Sequence, residues 1–346
     1  MTEIRELRAG DLPAVGDLLD RVLPGWSGDR RFLAATMFDH PWAEPEVGSL
    51  VATDAADAVI GFIGVQARRL RHGDRRLRGA CCSHLVVDKQ RNPGPAGALL
   101  MGRLLAGPQD LTWSDSANEI TVRIWRTFGG DLDHVRACDW MLVVRPLGWA
   151  GSLTGSLLRR QHIDRRHAPV GALPAQMFRR AAQELPPDLA AADASPAEVV
   201  EQLPGWMPRT VLRGDYDEAH LEHLLGLLRG RLGDPVSRIV SLRGRPVGWY
   251  VYVPQRASAS RVFHLSGVDR HLDLVLGELL ADARRRGSRV LAGRFEPHLG
   301  KPLRERMAAI GLARQPVIHA KDPELRAQLA TGSALLTRLD SEWFVA

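Results

Sequence analysis

The sequence is poor in the residues that build disulfide and metal sites. Among its 346 residues there are three cysteines, and two of them, Cys81 and Cys82, are adjacent. Neighbouring residues point to opposite faces of a strand, so this pair is poorly placed for a disulfide, and a low, odd count favours a reducing compartment. The CxxC and paired-histidine spacings of structural zinc sites are also missing, so we expect no metal.

Long hydrophobic runs are missing as well. The apolar stretches fall far below the roughly 20 residues that a membrane helix needs. The N-terminal residues are charged from Glu3 onward and do not have the pattern of a secretory leader. We therefore expect a cytoplasmic protein that makes no membrane contact.

Lysine is the scarcest charged residue. Three of the 46 basic residues are lysine, so the other 43 are arginine, and the formal net charge is +6. An arginine surplus is typical of a high-GC genome, and it also suits a phosphate-bearing partner because arginine binds phosphate bidentately. A charge of +6 over 346 residues is too dilute to indicate nucleic acid by itself.

The composition, with 45% hydrophobic and 25% charged residues, is that of a globular protein. Hydrophobic periodicity predicts a helix, two or three antiparallel strands, helix, strand, helix and strand, and this order repeats about 200 residues later. We expect an α+β fold with two tandem domains, each a mixed, mainly antiparallel sheet flanked by helices. The expected domains are residues 1–147 and 211–346, joined by a connector with helices at 148–210.

Several local predictions bear on this organisation. A strand at 139–145 is expected to close the first domain, and a strand at 315–320 is expected in the second. Residues 186–196 are rich in alanine, aspartate and proline and predict a loop. Residues 303–311 predict a helix.

The sharpest motif is the segment at residues 91–96, which follows a predicted strand at 76–87 and precedes a predicted helix. A strand that feeds a glycine-containing loop into a helix start presents unpaired N–H groups and the positive helix end, which favour a pyrophosphate. Gly94 and Ala96 let the backbone approach a ligand closely, and Arg91 adds a cation. The alternative is a Pro/Gly turn without a ligand. The Walker lysine and GxGxxG motifs are missing, which argues against NTPase and Rossmann folds.

Residues 1–147 resemble the GNAT superfamily of acyl-CoA-dependent acyltransferases. The pyrophosphate loop of that superfamily reads Q/R-x-x-G-x-G/A, and Arg91, Gly94 and Ala96 match it. The resemblance implies acetyl-CoA or another acyl-CoA as co-substrate, and a strand before the loop that diverges from its neighbour. The implied cofactor-binding residues are Val86, Val87, Arg91, Asn92, Pro93, Gly94, Pro95, Ala96, Gly97, Asn118 and Trp125.

The next helix departs from the superfamily pattern. That pattern has an early Asn, a Tyr seven residues later and a Gly-Phe end; Asn118 and Gly129 match it, but Trp125 and Gly130 stand at the Tyr and Phe positions. In the superfamily the Tyr often protonates the leaving thiolate, and an indole N–H is not a usable acid. Either the thiolate leaves without this acid, another group supplies the proton, or the chemistry differs, with Trp125 a packing residue.

The second half resembles the same fold by element order alone. Its strand-to-helix junction at residues 269–272 lacks the spacing of the pyrophosphate loop. We therefore expect one CoA site, in the first domain. The resemblance to two-copy acyltransferases implies that the second domain, residues 211–346, shapes the acceptor side.

N-acyl transfer needs a deprotonated amine, a polarised thioester carbonyl and a donor held in line. Backbone N–H groups of Val86 or Val87 would polarise the carbonyl. His84, Asp115 and Glu296 are the catalytic candidates, because each is a proton acceptor on or just after a strand that leads to the expected cleft. Their respective alternatives are a buried strand histidine, a helix N-cap and a residue of a solvated loop.

Four more side chains and the last residues have two interpretations each. Cys81 and Cys82 are nucleophiles or acids, or else small buried residues. Tyr250 and Tyr252 supply the missing acid, or else pack against a helix. The terminal LDSEW segment, residues 339–343, lines the cleft or caps the core.

The leading hypothesis is an acyl-CoA-dependent N-acyltransferase that moves an acetyl or other acyl group to a primary amine of a small molecule, by direct transfer in the first domain. A Fem-like transferase that uses charged tRNA is an alternative, and the basic run at 157–167 favours it. A non-catalytic acyl-CoA-binding protein is another, and Trp125 favours it. The acceptor, the acyl length and the oligomeric state have no signal in the sequence.

Overall fold

The computed structural model describes residues 2–23, 26, 29–91, 94–145, 184–207 and 211–342. The basic run at 157–167 and the first part of the connector expected at 148–210, up to residue 183, lie outside these residues. Contacts within the chain divide it into two compact units. Unit 1 consists of Met1–Asp133, Gln315–Leu329 and Asp340–Ala346, and unit 2 of His134–Arg314 and Ala330–Leu339.

Helices and strands are numbered along the chain. The strands are β1 (Glu3–Glu6), β2 (Leu50–Thr53), β3 (Val59–His72), β4 (Arg75–Val87), β5 (Leu111–Ser114), β6 (Asp131–Leu132), β7 (Cys138–Val143), β8 (Leu189–Asp193), β9 (Leu212–Gly214), β10 (Val236–Leu242), β11 (Arg245–Val253), β12 (Ala259–Gly267), β13 (Val290–Arg294), β14 (Ala309–Leu312), β15 (Val317–Ala320) and β16 (Ala334–Leu335). The helices are α1 (Leu12–Val22), α2 (Arg30–Met37), α3 (Ala96–Leu105), α4 (Glu119–Thr127), α5 (Pro196–Trp206), α6 (Glu218–Leu232), α7 (Leu272–Arg285), α8 (Gly300–Glu305) and α9 (Pro323–Ala330).

The sheet of unit 1 has the strand order β1-β2-β3-β4-β5-β15-β6. Its neighbours pair antiparallel, except β4 and β5, which are parallel and are joined by α3. A parallel pair needs a crossover, and the helical spacing of residues 96–105 provides it. The predicted phosphate loop is therefore part of this crossover, between the end of β4 and the start of α3.

Both faces of this sheet are covered by apolar side chains. On one face, Leu100 and Met101 of α3 and Trp125 of α4 pack with Ile63 of β3. The other face is covered by α1, whose buried residues Val15, Leu18 and Leu19 pack with strand residues. The helical spacing of these side chains matches the amphipathic pattern of the sequence.

Unit 2 repeats this plan. Its larger sheet has the order β14-β7-β13-β12-β11-β10-β8, with one parallel pair, β12 and β13, joined by α7. Short strands β9 and β16 pair with each other in parallel. An apolar core, built mainly from α7 and the strands, stabilises the unit. The predicted α+β class, with two mixed, mainly antiparallel sheets, is confirmed.

Two predicted strands lie in the sheet that the sequence did not assign them to. β7, which the sequence places in the first domain, pairs with β13 in unit 2. β15, which the sequence places in the second, pairs with β5 in unit 1. These two strand placements were wrong because an alternating pattern predicts a strand but does not specify its partner.

Two local predictions were also wrong. Residues 186–196 were expected to form a loop, but Leu189–Asp193 forms an edge strand that pairs with β10. The helix expected over 303–311 ends at Glu305, and Ala309–Leu312 is a strand on β7. Both segments are short and mostly exposed, so their strand state depends on a neighbouring strand and not on local hydrophobic periodicity.

Candidate active site

The parallel pair in unit 1 separates partway along its length. β4 pairs with β5 from Gly79 opposite Leu111 to Cys81 opposite Trp113, where the register ends. β4 nevertheless continues to Val87, and over its last residues β3 is its one pairing partner among the described strands. The divergence that the superfamily resemblance implied is therefore present, and it opens one edge of β4 beside β5.

A β-bulge lies on the part of β4 that has left β5. Ser83 is opposite Gly64 and Val86 is opposite Phe62, so His84 and Leu85 together face the single residue between them on β3. His84 adopts a left-handed conformation with φ of 52°, which is uncommon for a residue other than glycine. The bulge turns the backbone at the divergence, and His84, a predicted catalytic residue, is buried there with Nδ1 3.0 Å from Ser83 Oγ.

A cavity of about 130 Å³ occupies the divergence. Leu23, which packs with the α1 face of the sheet, lies on one side of it. Met101 and Trp125, from the α3 and α4 face, lie on the other, so the cavity reaches both faces. The hydrogen-bonding side chains among its lining residues are Ser83, His84, Ser114, Ser116, Asn118, Thr121, Trp125 and Glu342.

Glu342 comes to this cavity from the far end of the sequence. Its Oε1 accepts four hydrogen bonds, from Ser114 Oγ (2.7 Å), Ser116 Oγ (2.9 Å), and the N–H groups of Asp115 (2.5 Å) and Ser116 (2.8 Å). The residue is 3% exposed. Burial, and next the charge of Asp115, raise the pKa of Glu342 to about 7, although the hydrogen bonds from the Ser114 and Ser116 hydroxyls and the Asp115 N–H oppose this shift.

Asp115, the second predicted catalytic residue, lies directly after β5. Its alternative role as a helix N-cap is wrong, because the cap of α4 is Asn118, whose Oδ1 accepts the N–H of Thr121 at 2.9 Å. Asp115 is buried, its backbone N–H donates to Glu342, and its charge raises the pKa of that carboxyl. The structure thus places His84 and Asp115 with Glu342 at one site.

The predicted phosphate loop begins where β4 ends. Asp88 Oδ1 accepts the N–H groups of Gln90 (3.1 Å) and Arg91 (3.3 Å), which turns the chain out of the strand. The Arg91 side chain is 59% exposed, with Nε 3.9 Å from Asp88 Oδ2. Asn92 and Pro93 lie outside the described residues.

Helix α3 begins at Ala96, after Pro95 at the N-cap position, where no side chain caps the helix. Gly97 is close to the end of β4, since a Cβ there would lie 3.5 Å from Val87 Cγ2. Asp88 N–H donates to Ile60 on β3. Backbone groups alternate in direction along a strand, so the N–H of Val87 faces away from β3, toward the divergence, and that of Val86 faces β3.

Trp125 is fully buried on α4 and lines the cavity. Its Nε1 has no hydrogen-bond acceptor among the described residues. Burial of an unpaired indole N–H is unfavourable, and it leaves the ring in van der Waals contact alone. Asn118, the other residue of this helix that the resemblance selected, uses its side-chain oxygen to cap the helix.

The thiols of Cys81 and Cys82 are both buried and free. Burial raises the pKa of each well above its ordinary value, so neither is a thiolate at neutral pH. Tyr250 and Tyr252 are fully buried in the core of unit 2, where the Tyr252 hydroxyl donates to Asp282 at 2.5 Å. Burial raises the pKa of both tyrosines, and the packing interpretation fits all four residues.

Glu296, the third predicted catalytic residue, belongs to unit 2. There β12 and β13 pair from Ala259 opposite Val290 to Arg261 opposite Ala292 and then diverge, as β4 and β5 do in unit 1. Glu296 is 3% exposed, so the solvated-loop alternative is wrong.

The divergence in unit 2 is filled. Its cavity is about 10 Å³, room for one water at most. Trp140 packs so tightly against Gly293 that a Cβ on this glycine would lie 2.6 Å from the indole. The other polar lining residues are His264, Arg294, Glu296, Thr337 and Arg338.

Glu342 is the residue that the sequence did not assign. The terminal segment was expected to line the cleft or to cap the core, and Glu342 lines the cavity. Its only signal was an acidic residue next to tryptophan near the end of the chain. Trp343 lies outside the described residues.

Several solved structures are similar to this chain. GCN5-related N-acetyltransferases from Anabaena variabilis and Kribbella flavida each match with a TM-score of 0.59, at 11% and 13% sequence identity respectively. The matches cover 93% and 96% of this chain and 73% of each neighbour's chain. Eis1 from Mycobacterium abscessus matches with a TM-score of 0.54 and 16% identity, over 95% of this chain and 76% of its own. No protein-family model and no curated protein matches the sequence. The chain therefore has the fold of the GCN5-related N-acetyltransferases.

The helices of the described ranges are all too short or too polar to cross a bilayer. Within the same ranges, His, Cys, Asp and Glu side chains form no group of three or more that could hold a metal ion.

Proposed function

We propose that unit 1 transfers an acyl group from a coenzyme A thioester to a primary amine of a small molecule, with Glu342 as the general base. One observation carries the proposal: a buried carboxylate with a pKa of about 7 lies at the point where two parallel strands diverge around a cavity. A cavity that reaches both faces of the sheet lets donor and acceptor enter from opposite sides. The fold of the acyltransferase neighbours supports the same reaction class.

The residues present fit a CoA thioester. The start of α3, without a side-chain cap, has N–H groups available for the pyrophosphate, and Arg91 can move its exposed cation onto it. The N–H of Val87 faces the divergence and can hydrogen-bond the pantetheine or the acyl carbonyl, which makes it the better of the two predicted valines for polarising that carbonyl. Trp125 and Met101 form an apolar wall for the arm.

A bound CoA thioester would supply the acyl group: its C–S bond breaks as the amine forms the C–N bond, and the second proton that the nitrogen loses goes to solvent. Glu342 removes a proton from the acceptor ammonium, through Oε2, because the four donors of Ser114, Asp115 and Ser116 all bind Oε1. These donors fix the rotamer of the carboxylate without neutralising it. A base with a pKa of about 7 is half ionised at neutral pH and is a stronger proton acceptor than an ordinary carboxylate.

The same carboxyl can supply the proton that the superfamily obtains from tyrosine. Once protonated by the amine, Glu342 is an acid of pKa about 7, below the roughly 8.5 of a thiol, so transfer of that proton to the departing thiolate is favourable. Trp125 is then a wall of the site. Of the three predicted residues, His84 and Asp115 stay in unit 1 as candidates, with Asp115 tuning Glu342, and Glu296 stays a candidate on the acceptor side in unit 2.

The test is release of free thiol from acetyl-CoA and longer acyl-CoAs with a panel of amines, for the wild type, Glu342→Gln and His84→Asn. Turnover that falls in the Glu342 variant supports the proposal. Full activity in Glu342→Gln with loss in His84→Asn would transfer the role of base to the histidine. Absence of turnover with every pair, despite CoA binding, would favour the non-catalytic acyl-CoA-binding alternative.

A further inference from the structure

Arg68 on β3 has an unusual environment for an arginine. It is 3% exposed, so its guanidinium has left water almost completely. Its Nη2 donates to Gln66 Oε1 at 2.5 Å. Its Nη1 donates to the carbonyl of Ala67 at 3.2 Å and lies 2.9 Å from His40 Nε2. A buried guanidinium is costly unless its donors are used, and these neighbours hold the group in one orientation.

The Nε of this arginine points to the end of the chain. It donates to the backbone carbonyl of Asp340 at 3.4 Å, a contact between residues 272 positions apart. Asp340 precedes Glu342 by two residues, and consecutive Cα atoms are about 3.8 Å apart. Fixing the Asp340 carbonyl therefore restricts where the Glu342 side chain can go.

We propose that Arg68 is a positioning residue, which anchors the backbone at Asp340 so that the Glu342 carboxylate stays inside the cavity between β4 and β5. The inference rests on the proposed function for its effect on catalysis, but the anchoring itself does not. Arg68 holds the backbone in place through a hydrogen bond, and Glu342 takes the proton from the amine.

The pKa of Glu342 reports the position of its carboxyl group, because that pKa depends on the surrounding groups. Asp115 follows β5, Cys81, Cys82 and His84 lie on β4, and the serines Ser114 and Ser116 donate to it. Burial is the largest cause of the raised pKa of Glu342, and the charge of Asp115 is the second. A Glu342 released into solvent would lose both, and its pKa would return toward the ordinary value of 4.5.

The experiment compares the wild type with Arg68→Gln and Arg68→Lys, using Arg69→Gln as the matched control. Arg69 is the next residue on the same strand, is exposed and lies over Trp42. Lysine keeps a cation but lacks the Nε–H that reaches Asp340, so it carries the test if the glutamine variant does not fold. The first readout is the pH dependence of kcat with acyl-CoA, and the second is the pH dependence of the free energy of unfolding.

We expect kcat to fall roughly 10–100-fold in both Arg68 variants. The acidic limb of the kcat profile should move at least about one pH unit below that of the wild type. KM for acyl-CoA should change less than about twofold. The Glu342-dependent loss of stability with rising pH should weaken in parallel. Arg69→Gln should match the wild type in both. An acidic limb near pH 7 in the Arg68 variants, whatever their kcat, would overturn the inference and leave Arg68 a packing residue. If the wild type has no turnover, the unfolding measurement still decides whether Arg68 anchors Glu342.

Discussion

Ser114 and Glu342 are 228 positions apart in the sequence, and their side chains form a 2.7 Å hydrogen bond within unit 1. Ser114 is the last residue of β5, where that strand has left β4, and Glu342 is among the last described residues. Glu342 thus supplies the carboxyl group of a cavity whose other lining residues lie between Leu23 and Trp125. The proposed chemistry depends on this contact, because it fixes the carboxylate that would act as the base.

Replacing Glu342 with glutamine should change how stability depends on pH. The folded protein holds the Glu342 proton up to a pKa of about 7, whereas the unfolded chain releases it near the ordinary 4.5. Its contribution to stability is therefore fully present below about pH 4.5 and is lost as pH rises through 7, by up to roughly 3 kcal/mol. Urea unfolding from pH 4.5 to 8 should show the wild type losing stability relative to Glu342→Gln across that window. A difference that stays constant with pH would contradict the raised pKa.

CoA should stabilise the protein through the loop after β4. At about 100 times its dissociation constant the ligand should add about 2.7 kcal/mol, which thermal unfolding detects. Gly94→Val should abolish this increment, because a branched side chain would meet the pyrophosphate. Gly311→Val, at an exposed strand position in unit 2 with open space around it, is the control and should keep the increment. An undiminished CoA effect in Gly94→Val would remove the loop from the CoA site.

One CoA should bind per chain. The divergence between β12 and β13 in unit 2 holds a cavity of about 10 Å³ and is occupied by Trp140 and other side chains, so a pantetheine arm has no room there. Titration calorimetry with free CoA should give a stoichiometry near one, which Gly94→Val reduces to zero. Two equivalent sites would mean that unit 2 opens to bind a donor.

Trp125 should be dispensable as a hydrogen-bond donor. Its buried Nε1 has no acceptor among the described residues, so Trp125→Phe keeps an aromatic wall and removes only an unpaired N–H. We expect Trp125→Phe to retain most of the activity and Trp125→Tyr to gain little, since Glu342 can already return a proton to the thiolate. General acid catalysis is typically worth about 10²–10⁴-fold. A gain of that size in the tyrosine variant alone would indicate that the native chain lacks an acid and would favour the non-catalytic alternative.

The sequence predicted the parts of the fold that depend on local pattern. The strand predicted at 76–87 and the helix predicted at 97–106 follow from alternation and helical spacing, and the structure has them at Arg75–Val87 and Ala96–Leu105. The partners of β7 and β15 could not be predicted, because strand pairing is decided by contacts between distant segments. The filled divergence of unit 2 also depends on such a contact, the packing of Trp140 against Gly293.

The candidate site was predictable to a similar extent. His84 was selected on the strand that leads to the loop and Asp115 just after the next strand, at the edge of the expected cleft. His84 lines the cavity and Asp115 contacts Glu342. Glu342 could not be selected, because nothing local to residues 339–343 indicates that the chain end returns to β5. The raised pKa results from burial and from Asp115, and both of these exist only in the folded protein.

The most direct test of Glu342 as general base is the pH dependence of kcat for acyl-CoA turnover, measured for the wild type and Glu342→Gln at saturating donor and amine. Glu222→Gln, an exposed glutamate on α6, serves as the control. We expect wild-type kcat to rise with pH through an apparent pKa of about 7. Glu342→Gln should lose this limb and about 10²–10⁴-fold of kcat, and the control should keep both. A Glu342→Gln profile that keeps the limb near pH 7 with undiminished kcat would contradict it.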